Sequence, residues 1–142
     1  MKKLPDSLFK HPHLVVAPCR FGHGVFAVDT IPAETTVEEC PYLRIREEDC
    51  QGVIDDYVFG LEPEGDEEDE SSECYSLPLG WGCLLNHAND PNIEYWHDTD
   101  RDLIVFYTTR EIAPGEQLFI DYGKAWWETR DIVPERISQS RK

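Results

Sequence analysis

An apolar run meets a polar turn in the segment LLNHANDPN, residues 84–92 of the chain. The amide of Asn86 and the imidazole of His87 follow two leucines directly, which would place hydrogen-bonding groups in a half-buried pocket. Taken alone, the same residues are also typical of a turn closed by an Asn or Asp side chain, with a histidine that has found a partner. The meaning of this segment therefore depends on the rest of the chain.

Two glycines flank His23 in the segment FGHGV, residues 21–25, between two strand-like runs. Gly22 and Gly24 would let the backbone approach a ligand and present its N–H and C=O groups. A lone Gly-x-Gly more often marks a turn. No helical pattern follows that would make it a dinucleotide-binding fingerprint.

A strand pattern ends in a phenol in the segment PGEQLFIDYG, residues 114–123. Side chains alternate between the two faces of a strand, so Leu118, Ile120 and Tyr122 are expected on one face together with Glu116. This places the Tyr122 hydroxyl among apolar neighbours at the end of the strand. A cross-strand aromatic residue would show the same pattern.

Short strand-like runs dominate the chain. The pattern predicts strands at residues 14–17, 24–28, 36–40, 103–108 and 117–122, and short helices at 46–53 and 124–131. Gly and Pro residues separate the runs, and strands do not alternate with helices as they do in βαβ units. The fold class is therefore predicted as a β-rich single domain.

The charge of the chain restricts its partners. The 142 residues suit one domain, and 13 Lys and Arg against 29 Asp and Glu give a net charge of −16. This argues against nucleic-acid binding, which depends on clustered basic residues, and fits a basic protein partner. With no apolar stretch of about 20 residues and no apolar run after the first lysines, we expect no membrane contact. We expect a cytoplasmic protein, or a nuclear one through association with its substrate if the source is eukaryotic or viral.

The five cysteines do not form a recognisable site. Their number is odd and no Cys-x-x-Cys pair occurs, which argues against a disulfide framework or a Cys-rich zinc centre. We therefore expect reduced and mostly buried thiols, a reducing compartment and no metal centre.

Residues 62–73 are almost entirely acidic, and residues 134–142 form a polar tail. Like charges at this density repel each other, so the acidic insert should be a solvated loop. It could simply make the protein more soluble, or it could attract a cationic substrate.

The three motifs, in this order, resemble the SET-domain protein-lysine methyltransferases. The matching residues are 22–27 (GHGVFA), Asn86-His87 with Pro91-Asn92, and 115–123, supported by 30–33 (TIPA) and 109–115 (TREIAPG). The resemblance covers roughly residues 15–127 of a single domain spanning 1–142. It implies a SET fold, a β-clip-like arrangement of short sheets around a C-terminal pseudoknot.

The resemblance also implies roles for individual residues. The methyl donor would be S-adenosylmethionine, with Tyr122 at the methyl-transfer centre. The Asn86-His87 pair matches residues that contact the donor's amino group and adenine, and Gly22, His23 and Gly24 match backbone contacts to its methionine part. The implied cofactor-binding set is Phe21, Gly22, His23, Gly24, Asn86, His87, Tyr122 and Trp126.

The substrate lysine would enter a narrow apolar channel lined by Ile120, Trp127 and Tyr57. No cysteine follows Cys83 in these residues, so we expect the protein to lack the Cys-rich segment that closes the channel in many relatives; Trp126 could stack on the adenine or cover the channel instead. The position of Ile120 often holds Phe or Tyr in the family. A smaller residue there predicts di- or trimethylation of the lysine.

Two other functions stay open from the residues alone. One is a catalytically silent SET-like module that binds basic proteins through the acidic insert. The other is metal-assisted hydrolysis using His87, Asp90, His97 and Asp98, whose spacing matches no recognised ligand pattern. The leading prediction is a lysine methyltransferase for a basic, histone-like protein, with a homodimer as one way to complete its groove.

Overall fold

The computed structural model describes residues 7–61 and 74–123. Nine β-strands lie in these two ranges: β1 (Leu14–Cys19), β2 (Gly22–Ala27), β3 (Thr36–Arg46), β4 (Phe59–Leu61), β5 (Cys74–Pro78), β6 (Asn86–His87), β7 (Ile93–Asp98), β8 (Leu103–Thr108) and β9 (Phe119–Ile120). Short 3-10 turns at Glu47–Asp49, Gly52–Asp56 and Trp81–Leu84 are the helical elements of the described chain.

The strands form one large sheet and two small ones. The large sheet has the order β4-β5-β3-β8-β7, whereas β1 pairs with β2 and β6 pairs with β9. The long strand β3 joins the two halves of the large sheet, because it pairs with β8 through residues 36–41 and with β5 through residues 42–46. The pair β6–β9 is parallel, and the other pairs are antiparallel.

The core is one cluster of buried side chains that come from all three sheets. Its fully buried members include Val37 of β3 and Phe106 of β8, together with Ile112 and Leu118 from the segments before β9. A side chain at Gly82 would overlap the Phe106 ring, so the glycine lets the 3-10 turn Trp81–Leu84 pack directly on the core. This turn leads into the Asn-His motif and fixes its entry point.

The predicted fold class is confirmed, since the described chain is dominated by strands. The predicted strands at 14–17, 24–28, 36–40 and 103–108 correspond to β1, β2, β3 and β8. The strands β4, β5 and β7 were not predicted, because their sequences mix polar, glycine and aromatic residues without a clear alternation.

The predicted helix at residues 46–53 is wrong. Strand β3 continues to Arg46, and two 3-10 turns follow, interrupted near Gly52, whose φ of +63° lies outside the helical region. The predicted strand at 117–122 is reduced to the two residues of β9. The predicted helix at 124–131, the acidic insert 62–73 and the tail 134–142 lie outside the described residues.

The thiols are less buried than predicted. Cys40 is buried, but Cys19, Cys50 and Cys83 are half-buried, and these four side chains are free thiols. Burial raises the pKa of the Cys40 thiol to about 12, with the Glu38 carboxylate adding to the shift. In the described ranges, no helix is both long and apolar enough to span a membrane.

Candidate active site

Residues 115–122 of the third motif bring the other two motifs together. On one side this segment bonds to β2, where the Ala27 N–H donates to the Glu116 carbonyl at 2.9 Å and the Leu118 N–H donates to the Val25 carbonyl at 2.8 Å. On the other side β9 pairs in parallel with β6, the strand that carries the Asn-His motif. The last motif is thus a central segment between the first two.

Asn92 holds this central segment in place. Its side chain is fully buried; Nδ2 donates to the Gln117 carbonyl at 2.9 Å, and Oδ1 accepts from the Phe119 N–H at 2.8 Å. The Phe119 amide is therefore bonded by a side chain instead of a strand partner, which explains why β9 is so short. Phe119 and Ile120 are both buried, so the segment is covered on both faces.

Asn86 connects the first motif to the second. Its Nδ2 donates to the His23 carbonyl at 3.0 Å and to Oε1 of Gln117 at 2.8 Å. A side chain at Gly24 would meet the Gln117 amide oxygen at 2.5 Å and Asn86 Nδ2 at 3.1 Å. Gly24 is therefore required by the close approach of these two amides.

Gly22 and its neighbours form an exposed edge. Gly22 adopts φ +103°, a conformation that favours glycine, and Phe21 and His23 beside it are exposed. Of the three residues predicted to give backbone contacts, Gly22 and His23 therefore lie at the surface, with the His23 carbonyl bonded to the Asn86 amide, whereas Gly24 is buried.

His87 positions the backbone that leads to Tyr122. Its ring is buried; Nδ1 accepts the Tyr122 backbone N–H at 3.0 Å, and Nε2 lies 3.0 Å from Asn89 Oδ1. Because Nδ1 accepts, the ring proton resides on Nε2 and is donated to Asn89. This link needs an imidazole with one acceptor and one donor nitrogen.

The Tyr122 hydroxyl is directed at a backbone carbonyl. It donates to the Leu85 carbonyl at 2.9 Å. Burial, with a smaller contribution from Tyr57, raises the pKa of the Tyr122 phenol to about 12. At neutral pH the side chain is thus a fixed hydrogen-bond donor and not a base.

A cleft of about 600 Å³ opens at the Tyr122 side chain. Three predicted site residues, Tyr57, Ile120 and Tyr122, line it. Apolar and aromatic side chains form much of its wall, including Phe59 and Tyr95, whose rings make an edge contact at 4.9 Å. Its lining also carries four carboxylates, those of Glu47, Asp55, Asp56 and Asp121.

The carboxylates and the apolar residues of the cleft differ in exposure. Leu85 and Ile120 are buried, whereas Glu47, Asp55, Asp56 and Asp121 are exposed. The negative charge therefore lies towards the solvent side of the cleft and the apolar surface towards its interior. The pKa of the Tyr95 phenol is raised by burial and by the Asp121 carboxylate.

The structure separates the predicted residues into two groups. Tyr57, Ile120 and Tyr122 share the cleft, whereas Phe21, Gly22, His23, Gly24 and Asn86 are not part of its lining in the described ranges. The two groups are connected through the β6–β9 pair. Trp126 and Trp127 lie outside the described residues.

Four contributors to the site were assigned no role from the sequence. Gln117 and Asn92 act through side-chain bonds to distant backbone and amide groups, while Leu85 offers a carbonyl and Tyr95 an aromatic wall. Gln117 stood within a quoted motif, and a polar residue in a predicted strand was the available signal. Nothing in the sequence marked Tyr95, since β7 itself was not predicted.

The family of the chain follows from comparison with known proteins. Residues 22–123 match the model of the SET domain. The chain is a SET-domain protein. The predicted family and fold are thereby confirmed, and the matched range contains all three motifs.

Named relatives agree with this membership. The chain is 33% identical over 129 residues to the histone-lysine N-methyltransferase, H3 lysine-37 specific, of Schizosaccharomyces pombe, covering 87% of this chain and 82% of that protein. It is 28% identical over 122 residues to mouse and human histone-lysine N-methyltransferase EHMT1, covering 77% of this chain but 9% of those longer proteins.

A solved structure shows the same fold. The crystal structure of a proposed histone methyltransferase from Plasmodium falciparum superposes with a TM-score of 0.63 at 25% identity, covering 82% of this chain and 98% of that one. The shared fold therefore extends over nearly all of that chain.

The residues considered for metal-assisted hydrolysis do not form one cluster. Nε2 of His97 lies 2.8 Å from the Ser76 hydroxyl, and His87 is engaged by the Tyr122 backbone and Asn89. In the part of the chain that the structure describes, no group of three or more potential ligands comes together.

Proposed function

We propose that this SET-domain protein is an S-adenosylmethionine-dependent protein-lysine N-methyltransferase acting on a basic, histone-like protein. The observation that carries the proposal is the Tyr122 hydroxyl, fixed on the Leu85 carbonyl at the interior of an aromatic cleft. The relatives named as histone-lysine methyltransferases support the same enzyme class.

The exposed edge at Gly22 and His23 suits the amino-acid part of the donor. Backbone groups and the Asn86 amide lie together there, which fits a zwitterion that needs both donors and acceptors. S-adenosylmethionine supplies an electrophilic methyl group on a sulfonium centre. The chain has to hold the donor on this side and the lysine on the cleft side, joined at β9.

The cleft has to accept a neutral amine. With a pKa of about 10.4, only roughly one free lysine in a few thousand is neutral at pH 7. Burial against Ile120 and Leu85 would lower the pKa of the lysine, whereas carboxylates would raise it. The exposed acids near the solvent side are therefore suited to attract a basic segment without contacting the reacting nitrogen.

The Tyr122 phenol and the Leu85 carbonyl can then orient the amine. A phenol with a pKa of about 12 stays protonated at neutral pH, so it cannot remove the lysine proton there. We assign it an orienting role, in which alignment of the amine lone pair accounts for the rate enhancement.

The number of methyl groups depends on the space beside Tyr122. We propose di- or trimethylation, because Ile120 is smaller than the aromatic residue that often occupies this position in the family. Tyr95 lines the same cleft from β7 and is the side chain that could fill the remaining space. Ile120→Tyr should shift the product towards monomethyl-lysine. A wild-type product that stays monomethylated at long times with excess donor would contradict this proposal.

The deciding experiment is a methyl-transfer assay with isotope-labelled S-adenosylmethionine and purified histones, with acidic proteins as negative substrates. We expect label on lysine residues of the basic proteins, located by mass spectrometry. Binding of basic proteins without label transfer would favour the silent SET-like module instead. The cytoplasmic location and the homodimer remain predictions from the sequence.

A further inference from the structure

The NH2 end of the Asn86 amide holds this side chain in place. In the described ranges its hydrogen bonds all use Nδ2, which lies 3.0 Å from the His23 carbonyl, 2.8 Å from Gln117 Oε1 and 3.6 Å from Cys19 Sγ. A backbone carbonyl can only accept, so the group facing His23 must be the NH2 end. Two N–H bonds are thus directed at the two closest oxygens.

The orientation of the Gln117 side-chain amide follows from the same argument. The NH2 group of Asn86 can only donate, so the end of the Gln117 amide that faces it must be Oε1. The Gln117 backbone is held independently, because its carbonyl accepts from Asn92 Nδ2 at 2.9 Å. Gly24 leaves the space for this amide pair, since a Cβ there would lie 2.5 Å from Gln117 Oε1.

We propose that Gln117 is a positioning residue for the methyl donor: by binding Asn86 Nδ2 it leaves Asn86 Oδ1 as the acceptor for the donor's ammonium group. This inference rests on the proposed function and adds a residue that does not itself contact the donor. The His23 carbonyl alone would hold one N–H of Asn86 and leave the amide free to turn about that bond. Two anchors define the plane of the amide and therefore the direction of Oδ1.

The test separates this role from simple packing. Gln117→Met keeps the length and unbranched shape of the side chain but removes the acceptor, whereas Gln117→Glu keeps an acceptor at the same distance. Calorimetric titration is performed with S-adenosylmethionine and with 5′-methylthioadenosine, which has the adenosine and sulfur but no amino-acid part.

We expect Gln117→Met to weaken S-adenosylmethionine binding by about three- to tenfold, the effect of one hydrogen bond, and to leave the affinity for 5′-methylthioadenosine unchanged. Gln117→Glu should stay within about twofold of the wild-type protein for both ligands.

Three outcomes would overturn the proposal. Equal weakening of both ligands would show a structural role, and unchanged binding of both would show no role. A loss of about threefold or more in S-adenosylmethionine affinity for Gln117→Glu would show that the acceptor is not what matters, and this result is decisive even where the Met variant does not fold. If the wild-type protein binds neither ligand, the proposed function itself fails, which is a distinct result.

Discussion

The hydroxyl of Tyr122 is the atom on which the proposed chemistry depends. Tyr122→Phe removes only this oxygen and its bond to the Leu85 carbonyl. Because the loss disturbs alignment and not donor binding, we expect kcat to fall by about 10- to 100-fold, with the Kd for S-adenosylmethionine within about twofold.

Tyr107 offers a matched control for that variant. Its hydroxyl donates to Glu94 at 3.0 Å, and the residue does not line the cleft. Tyr107→Phe should therefore retain full turnover in the same assay. Full turnover by Tyr122→Phe would show that the Tyr122 hydroxyl has no role at the methyl-transfer centre.

The types of side chain marked candidate residues in the sequence, and the resemblance to the SET family gave these candidates their roles. Asn86, His87 and Tyr122 stood out because an amide, an imidazole and a phenol lay beside apolar runs. Gln117 could not be assigned a role in this way, because its amide partner is 31 residues away along the chain and only the fold brings the two together. The need for glycine at position 24 has the same distant cause.

At the scale of elements, the bond between Ser76 and His97 joins β5 to β7 across the large sheet. The Ser76 hydroxyl is fully buried and lies 2.8 Å from His97 Nε2. Burial lowers the pKa of His97, so the folded state favours the neutral ring.

The lowered pKa of His97 predicts a loss of stability in mild acid. In the unfolded chain His97 takes up a proton near pH 6.5, whereas in the folded state it stays neutral to a lower pH. The contribution of His97 to the free energy of unfolding is therefore fully present above pH 6.5 and decreases as the pH falls below it. His97→Gln keeps a side chain that can bond Ser76 but cannot titrate. The drop in Tm between pH 7.5 and pH 5.5 should therefore be smaller in His97→Gln than in the wild-type protein.

Burial also lowers the pKa of His11, with a contribution from His13, so part of the acid sensitivity will remain in the variant. Only the difference between the two proteins belongs to His97. Identical drops in Tm would contradict the assignment.

Strands with a clear β-branched or apolar pattern were predicted, as β8 shows, but β4, β5 and β7, which also line the cleft, were not. Residues 46–56 contain acidic and apolar residues at spacings compatible with a helix, yet pairing of β3 with β5 extends the strand to Arg46. Long-range pairing overrides a weak local preference in this segment.

For the molecule as a whole, electrostatic attraction acts over the longest distance. A net charge of −16 and four acids around the cleft should attract a basic substrate before contact. Replacing Glu67, Glu68 and Asp69 of the acidic insert with Ser should raise the KM for a basic substrate by about threefold at low salt and flatten its salt dependence, with kcat nearly unchanged.

A second variant controls for net charge. Replacing Asp29, Asp100 and Glu111 with the corresponding amides removes the same number of charges at exposed positions outside the cleft lining. This variant should raise the KM for the basic substrate less than the replacement of Glu67, Glu68 and Asp69 does. An equal change in both would assign the effect to total charge, and no change in either would make the acidic insert a solubilising segment.

The central position of residues 115–122 has a consequence for how the protein is made. Strands β2 and β6 are synthesised well before the segment that lies between them, so a ribosome-bound chain ending at residue 114 has both neighbours and no joining strand. Such late, long-range pairing is slow and leaves strand edges exposed to other chains. Because the same segment carries Gln117, Ile120 and Tyr122, the donor side and the lysine side would form together in one late step of folding.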